Sequence, residues 1–221
     1  MAGAAFLERL TAMTPAQRDQ EHIPAILWSD PRVPNRGSAM LAGGEDPLPW
    51  LLNGIRGLER CGAKAIAIPC NTAHLWYDAM AAATPLPILH IVDATLAELR
   101  SRPLSSRRIG VMASEPTLKM ALYQRALEAA GFEPLIPSED EMNSLSTCAI
   151  RLVKANRTPE SFAPAAECVR RLAARGAAAV LLACTELPLA IPHARRAEFG
   201  VELTDSIDGL AAAAIRWYRG E

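Results

Sequence analysis

Residues 66–74 read IAIPCNTAH, an apolar run that stops at a cysteine and continues into small hydrogen-bonding residues. Residues 180–186 read VLLACTE and repeat this design. A Gly-Ala pair stands eight positions ahead of each cysteine, Cys70 and Cys184. Two equivalent cysteine segments predict a chain built from two structurally equivalent halves.

The composition predicts a soluble globular protein with a substantial core. Half of the 221 residues are hydrophobic and 21% are charged, which argues against a disordered chain. A formal net charge of −1 and a pI of about 6.4 argue against a nucleic-acid partner, because that requires a basic face. The sequence has no run of about 18 apolar residues and no secretory signal pattern. We therefore expect a cytoplasmic protein that does not enter a membrane.

The number and spacing of the cysteines argue against disulfides and zinc. Five is an odd number, and no two cysteines form a CxxC pair. We therefore expect reduced thiols and no bound metal. The three cysteines outside the repeated segments are interpreted as ordinary core residues; they are Cys61, Cys148 and Cys168.

Alternating strand and helix patterns predict a parallel α/β fold. The expected helices span residues 4–13, 47–61, 74–83, 93–100, 114–130, 139–154, 159–175 and 206–219. The expected extended segments span residues 23–29, 65–69, 86–92, 109–113, 134–137 and 199–204, together with the apolar run before Cys184.

The two halves differ at their beginnings. The second half opens on the strand at 109–113, whereas the first opens directly on the helix at 4–13. If the halves are true repeats, one N-terminal strand and its turn are missing from the first half. We expect that strand in the middle of the first half's sheet, so that the start codon is assigned too late or the protein is shortened.

Cys70 and Cys184 are the candidate catalytic residues. Each ends a predicted parallel strand, where loops and helix N-termini gather ligand groups. A helix N-terminus stabilises a thiolate, so we expect both thiols to have a pKa below the ordinary value of about 8.5. Asn71, Thr72 and Thr185 would donate hydrogen bonds to a carboxylate held beside the sulfur atoms.

Two thiols on opposite walls of a cleft suit the inversion of a stereocentre. One thiolate removes a proton from one face of a carbon, and the other thiol delivers a proton to the opposite face. Pseudo-symmetric halves supply such walls. Each cysteine could instead be a core residue or a lone nucleophile, but the repeated context favours an acid/base pair.

Residues 69–74 (PCNTAH) and 183–188 (ACTELP) resemble the two cysteine motifs of the aspartate/glutamate racemase superfamily. Residues 29–36 (SDPRVPNR) are similar to the substrate-binding loop of aspartate racemases, and Thr204-Asp205 before the last helix also fits. The resemblance implies two pseudo-symmetric three-layer αβα lobes with mostly parallel sheets and the active site in the cleft between them. It also implies acid/base catalysis by two cysteines without pyridoxal phosphate, metal or another cofactor, and a homodimer.

The polar segment 101–108 separates the two halves. We assign residues 1–97 and 206–221 to the first lobe, which carries the first cysteine motif. Residues 98–205 form the second lobe, which carries the second motif.

The predicted function is racemisation of a small amino acid. Glu186 stands where glutamate racemases have histidine, and His74 fits the aspartate branch, so aspartate or a related amino acid is favoured. By the same resemblance, Arg36 would hold the side-chain carboxylate, Lys154 would make a second contact and Thr117 would lie near the substrate. His74 and Glu186 are further candidates for substrate contact, although both also suit a helix start. The segment before Thr117 departs from the family pattern.

Three other interpretations stay open. The chain could be a maleate-isomerase-like or decarboxylase-like enzyme of the same fold, in which one cysteine is a nucleophile or the sole proton donor. It could also be a truncated, inactive protein that binds a small molecule. A reversible disulfide between Cys70 and Cys184 would make a redox switch.

Overall fold

The two cysteine segments follow strands of two separate parallel sheets. The computed structural model describes residues 1–221, and every strand pairing in it is parallel, which confirms the predicted α/β fold. The strands are β1 (Ile66–Ala67), β2 (Ile88–Leu89), β3 (Arg108–Ala113), β4 (Glu133–Leu135), β5 (Ala179–Ala183) and β6 (Glu202–Asp205). The α-helices are α1 (Ala2–Met13), α2 (Arg36–Leu41), α3 (Leu48–Arg60), α4 (Tyr77–Ala82), α5 (Ile91–Arg100), α6 (Glu115–Lys119), α7 (Leu122–Ala129), α8 (Glu139–Glu141), α9 (Cys148–Lys154), α10 (Thr158–Ala174), α11 (Leu187–Ala190) and α12 (Ser206–Arg219).

The larger sheet has the strand order β4-β3-β5-β6 and carries helices on both faces. Its central strands are continuous apolar runs, because a strand covered on both sides has no solvent face. Leu181 and Ala183 of β5 pack toward α5, α7 and α12. Val180 and Leu182 pack toward α9, α10 and α11. This sheet is therefore the middle of a three-layer αβα arrangement.

The smaller sheet pairs β1 with β2, with Ile66 opposite Ile88. These two side chains pack with Ile55 of α3 and Met80 of α4. The alternate residues of both strands turn toward the core around α5 and α12. Helices therefore lie on both faces of this sheet as well.

Helix α12 joins the two sheets. It packs along α5 and α1 and contacts β2 of the smaller sheet and β5 and β6 of the larger. Gly209 is required where α12 crosses α5, because a Cβ there would lie 2.8 Å from Cα of Thr95 and 3.1 Å from the carbonyl oxygen of Ala94. Backbone atoms cannot move aside at low cost, so only glycine permits this approach.

The prediction of a strand at residues 23–29 is wrong. No backbone–backbone hydrogen bond involves this segment, and Ile26, Leu27 and Trp28 are exposed. Extended backbone becomes a strand only beside a partner, and the smaller sheet consists of β1 and β2 alone. Trp28 instead lies against α3 at Gly57. The further strand expected in this sheet stays a prediction.

Two predicted helices are interrupted. The helix predicted at 114–130 divides into α6 and α7 at Ala121, whose φ of 52° is left-handed. The long helix predicted before α10 contains a π-helical segment, Met142–Thr147. This segment places Ser146 so that its hydroxyl donates a hydrogen bond of 3.0 Å to the carbonyl oxygen of Ala113, at the end of β3.

No helix combines the length and the apolar character that crossing a bilayer requires.

Replacing Gly209 with alanine is expected to destabilise the protein by about 1 to 3 kcal/mol, because overpacking against backbone outweighs a gain in helix propensity of about 1 kcal/mol. Denaturant unfolding followed by circular dichroism measures the free energy of unfolding. The control is Arg216→Ala, at a half-buried position of the same helix, which should change that free energy by less than about 0.5 kcal/mol. A Gly209→Ala protein as stable as the wild type would contradict the close approach of α5 and α12.

Candidate active site

Cys70 is held through its backbone by His74. The carbonyl oxygen of Cys70 lies 2.9 Å from Nδ1 of His74. The other ring nitrogen, Nε2, accepts a hydrogen bond of 3.1 Å from the backbone N–H of Ile91, the first residue of α5. Since Nε2 is an acceptor, the neutral ring carries its proton on Nδ1 and donates it to Cys70. The histidine therefore ties the cysteine backbone to the start of α5.

Burial keeps the His74 ring uncharged. The side chain is buried beside Tyr77 and His90, and burial lowers the pKa of His74 to about 4. Both ring nitrogens are occupied by backbone groups, so neither is available to exchange a proton with a substrate. This geometry favours a positioning role for His74 over direct contact with substrate.

Cys184 donates a hydrogen bond to a carboxylate. The thiol is buried, and its Sγ lies 3.1 Å from Oε2 of Glu186. The other carboxylate oxygen, Oε1, lies 4.0 Å from Nζ of Lys154. Sulfur, carboxylate and ammonium group therefore form a line that leads from the buried thiol toward solvent.

The low pKa expected for both thiols is wrong for Cys184. Burial and, next in size, the charge of Glu186 raise the pKa of the Cys184 thiol well above its ordinary value. Helix α11 begins three residues later but is only four residues long, so the dipole at its amino end is too weak to offset burial. Cys184 is therefore a protonated thiol at neutral pH.

Three hydroxyl groups that follow strands of the two sheets lie together. Thr72 begins a 3₁₀ turn after β1, whereas Ser114 and Thr117 follow β3. The hydroxyl oxygen of Thr72 lies 3.1 Å from those of Ser114 and Thr117, which are 2.9 Å apart. The cluster brings together two residues predicted to bind substrate. It adds Ser114, which the sequence marked only as part of a departure from the family pattern.

The side-chain amide of Asn71 ties the Cys70 segment to α12 and α7. Its Nδ2 donates to Oγ of Ser206 at 2.8 Å, and its Oδ1 accepts from the hydroxyl of Tyr123 at 2.5 Å. Burial raises the pKa of Tyr123. Tyr123 is therefore a neutral hydroxyl that bonds the residue next to Cys70. A tyrosine and a serine inside helical patterns carry no motif signal, so sequence interpretation missed both.

Backbone donors beside both cysteines are unused. The backbone N–H groups of Asn71, Thr72 and Thr185 have no acceptor within the protein. One N–H of the Asn71 side-chain amide is also free, since the other bonds Ser206. Thr185 is buried, and its hydroxyl oxygen lies 3.5 Å from Oε2 of Glu186. Unused donors at the carboxyl ends of parallel strands suit an anionic ligand.

Arg36 lies on a helix that packs against the hydroxyl cluster. Helix α2, which begins at Arg36, contacts α6 and the 3₁₀ turn after Cys70. The guanidinium donates to the carbonyl oxygens of Val33 and Pro34 at 3.2 and 3.0 Å. Arg36 therefore folds back on its own loop and has no carboxylate partner.

A second group of ionisable side chains lies at the start of α12. His193, Asp205 and Asp208 place ligand atoms within 4.8 Å of one another, but two arginines already balance their charge. Arg196 bonds Asp205 and Arg9 bonds Asp208, both at 2.6 Å. Burial opposes the charge of Asp208, but hydrogen bonds from His193 and Arg9 outweigh it and lower the pKa of Asp208 to about 2. The group is therefore an ion network that fixes α12 in place.

Known proteins similar to this chain are amino-acid racemases. The model of a family described as Asp/Glu/hydantoin racemase matches residues 1–214. The broad-specificity amino-acid racemase RacX of Bacillus subtilis is 27% identical over 168 residues, which cover 76% of this chain and 70% of RacX. The structure of an aspartate racemase from Picrophilus torridus has a TM-score of 0.86 and 29% identity, covering 99% of this chain and 89% of the other. An aspartate racemase homologue from Pyrococcus horikoshii, with a TM-score of 0.75, 22% identity and coverage of 100% and 94%, shares the fold.

The neutral ring of His74 is expected to make stability depend on pH. Unfolding restores an ordinary pKa of 6.5, whereas the folded pKa is about 4, so the unfolded chain binds the extra proton between these values. Stability is therefore fully present above pH 6.5 and declines by about 3 kcal/mol as the pH falls to 4. His74→Gln should remove this part of the pH dependence of the free energy of unfolding.

Denaturant titrations at pH 7.5 and pH 4.5 measure the difference between wild type and His74→Gln. His22→Gln is the control, because His22 is half-buried and lies outside the candidate site. Equal pH dependence in wild type and His74→Gln would show that the His74 ring does not resist protonation.

Proposed function

Because the chain belongs to the Asp/Glu/hydantoin racemase family, we propose that it racemises aspartate or a related small amino acid without a cofactor. The membership confirms the resemblance drawn from the two cysteine motifs. One observation carries the proposal: Cys70 and Cys184 follow corresponding strands of two parallel sheets, with unused hydrogen-bond donors beside both. That arrangement suits an anionic substrate held between two thiols.

The two thiols act on opposite faces of Cα. In one direction Cys70, as a thiolate, removes the Cα proton, and the thiol of Cys184 delivers its proton to the other face. Cys70 is then a thiol and Cys184 a thiolate, so charge and proton number are conserved. The reverse direction exchanges the two roles. A thiol that stays protonated at neutral pH, as Cys184 does, suits the donor role.

The α-carboxylate occupies the donors at the strand ends. Negative charge moves onto its oxygens as the Cα proton leaves, and donors already in place stabilise that charge. The free backbone N–H groups of Asn71, Thr72 and Thr185 are such donors. The hydroxyls of Thr72, Ser114 and Thr117 bond one another in the structure, and each can turn its proton to an incoming carboxylate.

Two cations favour a substrate with a second carboxylate. The guanidinium of Arg36 can exchange its carbonyl partners for a carboxylate, which matches its planar fork better. Lys154 lies on the Cys184 side and contributes a second positive charge. The similarity to a Picrophilus torridus aspartate racemase supports aspartate. Because the Bacillus subtilis relative has broad specificity, neutral amino acids belong in the test as well.

Incubation of L-aspartate with the protein in deuterated water is expected to give D-aspartate that carries deuterium at Cα. Polarimetry follows the loss of optical rotation as D-aspartate forms, and mass spectrometry follows the incorporation of deuterium at Cα. Cys70→Ser and Cys184→Ser should each lower the rate by about 10² to 10⁴, because each removes one proton-transfer group.

Cys148→Ser is the matched control, since Cys148 lies on α9 in a groove with Arg151 and Arg157, apart from the strand ends. It should keep the wild-type rate. The proposal fails if the wild-type protein exchanges no Cα proton across a panel of acidic and neutral amino acids. Thermal-shift binding without exchange would instead indicate an inactive binding protein.

The unequal surroundings of the two cysteines favour a second candidate function. Cys184 is a protonated thiol with a carboxylate partner, whereas Cys70 has none. A decarboxylase-like or maleate-isomerase-like reaction needs only one such proton donor. Turnover of a dicarboxylic acid that survives partly after one cysteine is replaced with serine would favour this chemistry over two-base inversion.

A further inference from the structure

The thiol of Cys184 has a single side-chain acceptor. Cys184 is 7% exposed, so its proton has little direct contact with water. The acceptor is Oε2 of Glu186, which lies 3.1 Å from Sγ. The other carboxylate oxygen, Oε1, lies 4.0 Å from Nζ of Lys154. Side-chain exposure rises along this line to 15% for Glu186 and 51% for Lys154. A proton that leaves Cys184 therefore meets Glu186 first.

Cys70 has no comparable partner. Its thiol is half-buried and makes no hydrogen bond to another side chain. The nearby ring of His74 is occupied by the carbonyl of Cys70 and the N–H of Ile91. Water is therefore the proton-exchange partner of Cys70.

Inversion by two thiols requires proton exchange with solvent between turnovers. Each turnover leaves a proton on the sulfur that began as a thiolate and removes one from the other sulfur. To convert the same enantiomer again, one sulfur must release a proton and the other must gain one. An exposed thiol does this through water, but a buried thiol needs a carrier.

We propose that Glu186 is the proton relay of Cys184, an inference that rests on the proposed racemase function. The Sγ–H proton passes to Oε2, which leaves a thiolate and a neutral carboxylic acid. The carboxylic acid then gives that proton to water, which forms hydronium and restores the carboxylate. Reprotonation of Cys184 follows the same steps in reverse.

The relative acidity of the two groups fits a transient carrier. An ordinary carboxyl group is a stronger acid than an ordinary thiol by about 4 pKa units, so the proton rests on sulfur and visits the carboxylate briefly. Lys154 faces Oε1 of Glu186, and the hydroxyl of Thr185 lies near Oε2. Both hold the carboxylate in place without taking its proton.

Two variants of Glu186 test the relay. Glu186→Gln keeps the shape of the side chain but cannot carry a proton, so we expect kcat for racemisation to fall by about 10- to 100-fold with little change in KM. Glu186→Ala opens space beside Cys184. Added sodium formate, a small carboxylate, should restore kcat of Glu186→Ala as its concentration rises, and should leave the wild type unchanged.

Glu128→Gln is the matched control, because it removes an exposed carboxylate from α7 and should keep kcat. Circular dichroism and thermal unfolding check that both Glu186 variants are folded. A Glu186→Gln enzyme with wild-type kcat would overturn the relay, as would a Glu186→Ala enzyme that formate fails to restore. Both outcomes leave the proposed function intact. A wild-type protein that racemises no amino acid overturns the proposed function and the relay together.

Discussion

The position of the Cys70 loop depends on the close approach of α5 and α12 at Gly209. The amino end of α5 holds His74 through the N–H of Ile91, and His74 holds the carbonyl of Cys70. The amino end of α12 presents Ser206, which binds the side chain of Asn71. Both helices therefore direct their first residues at the same loop. A contact between two backbones, made where glycine leaves no side chain, sets the distance between these two attachments.

The internal symmetry of the fold does not extend to its electrostatics. The strands before Cys70 and Cys184 are related, but one sulfur is half-buried without an acid, and the other is buried against a carboxylate. The proposed two-base inversion needs each sulfur to release and regain a proton. Burial and the charge of Glu186 make the proton leave Cys184 less readily, and a proton carrier speeds this exchange without changing its equilibrium.

The sequence predicted those features that local patterns determine. Apolar runs that stop at small polar residues identified the strands before both cysteines. The helical pattern at residues 206–219 has the same bounds as α12. Features that depend on distant partners were not predictable in this way. Residues 23–29 have the pattern of a strand but no neighbouring strand. The thiol of Cys184 lies near a helix start, but burial determines the direction of its pKa shift. Tyr123 joined the site through a fold contact that no spacing reveals.

The buried residues are distributed unequally around the two sheets. Two clusters of sixteen buried residues lie on the two faces of the larger sheet. One of them also receives Ala67 and Leu89 of the smaller sheet, whose other face packs on a cluster of only four. Regions with few buried apolar contacts open at lower free energy than the rest of a protein. The outer face of the smaller sheet, which packs on the smallest of these clusters, is therefore expected to open at lower free energy than the larger sheet.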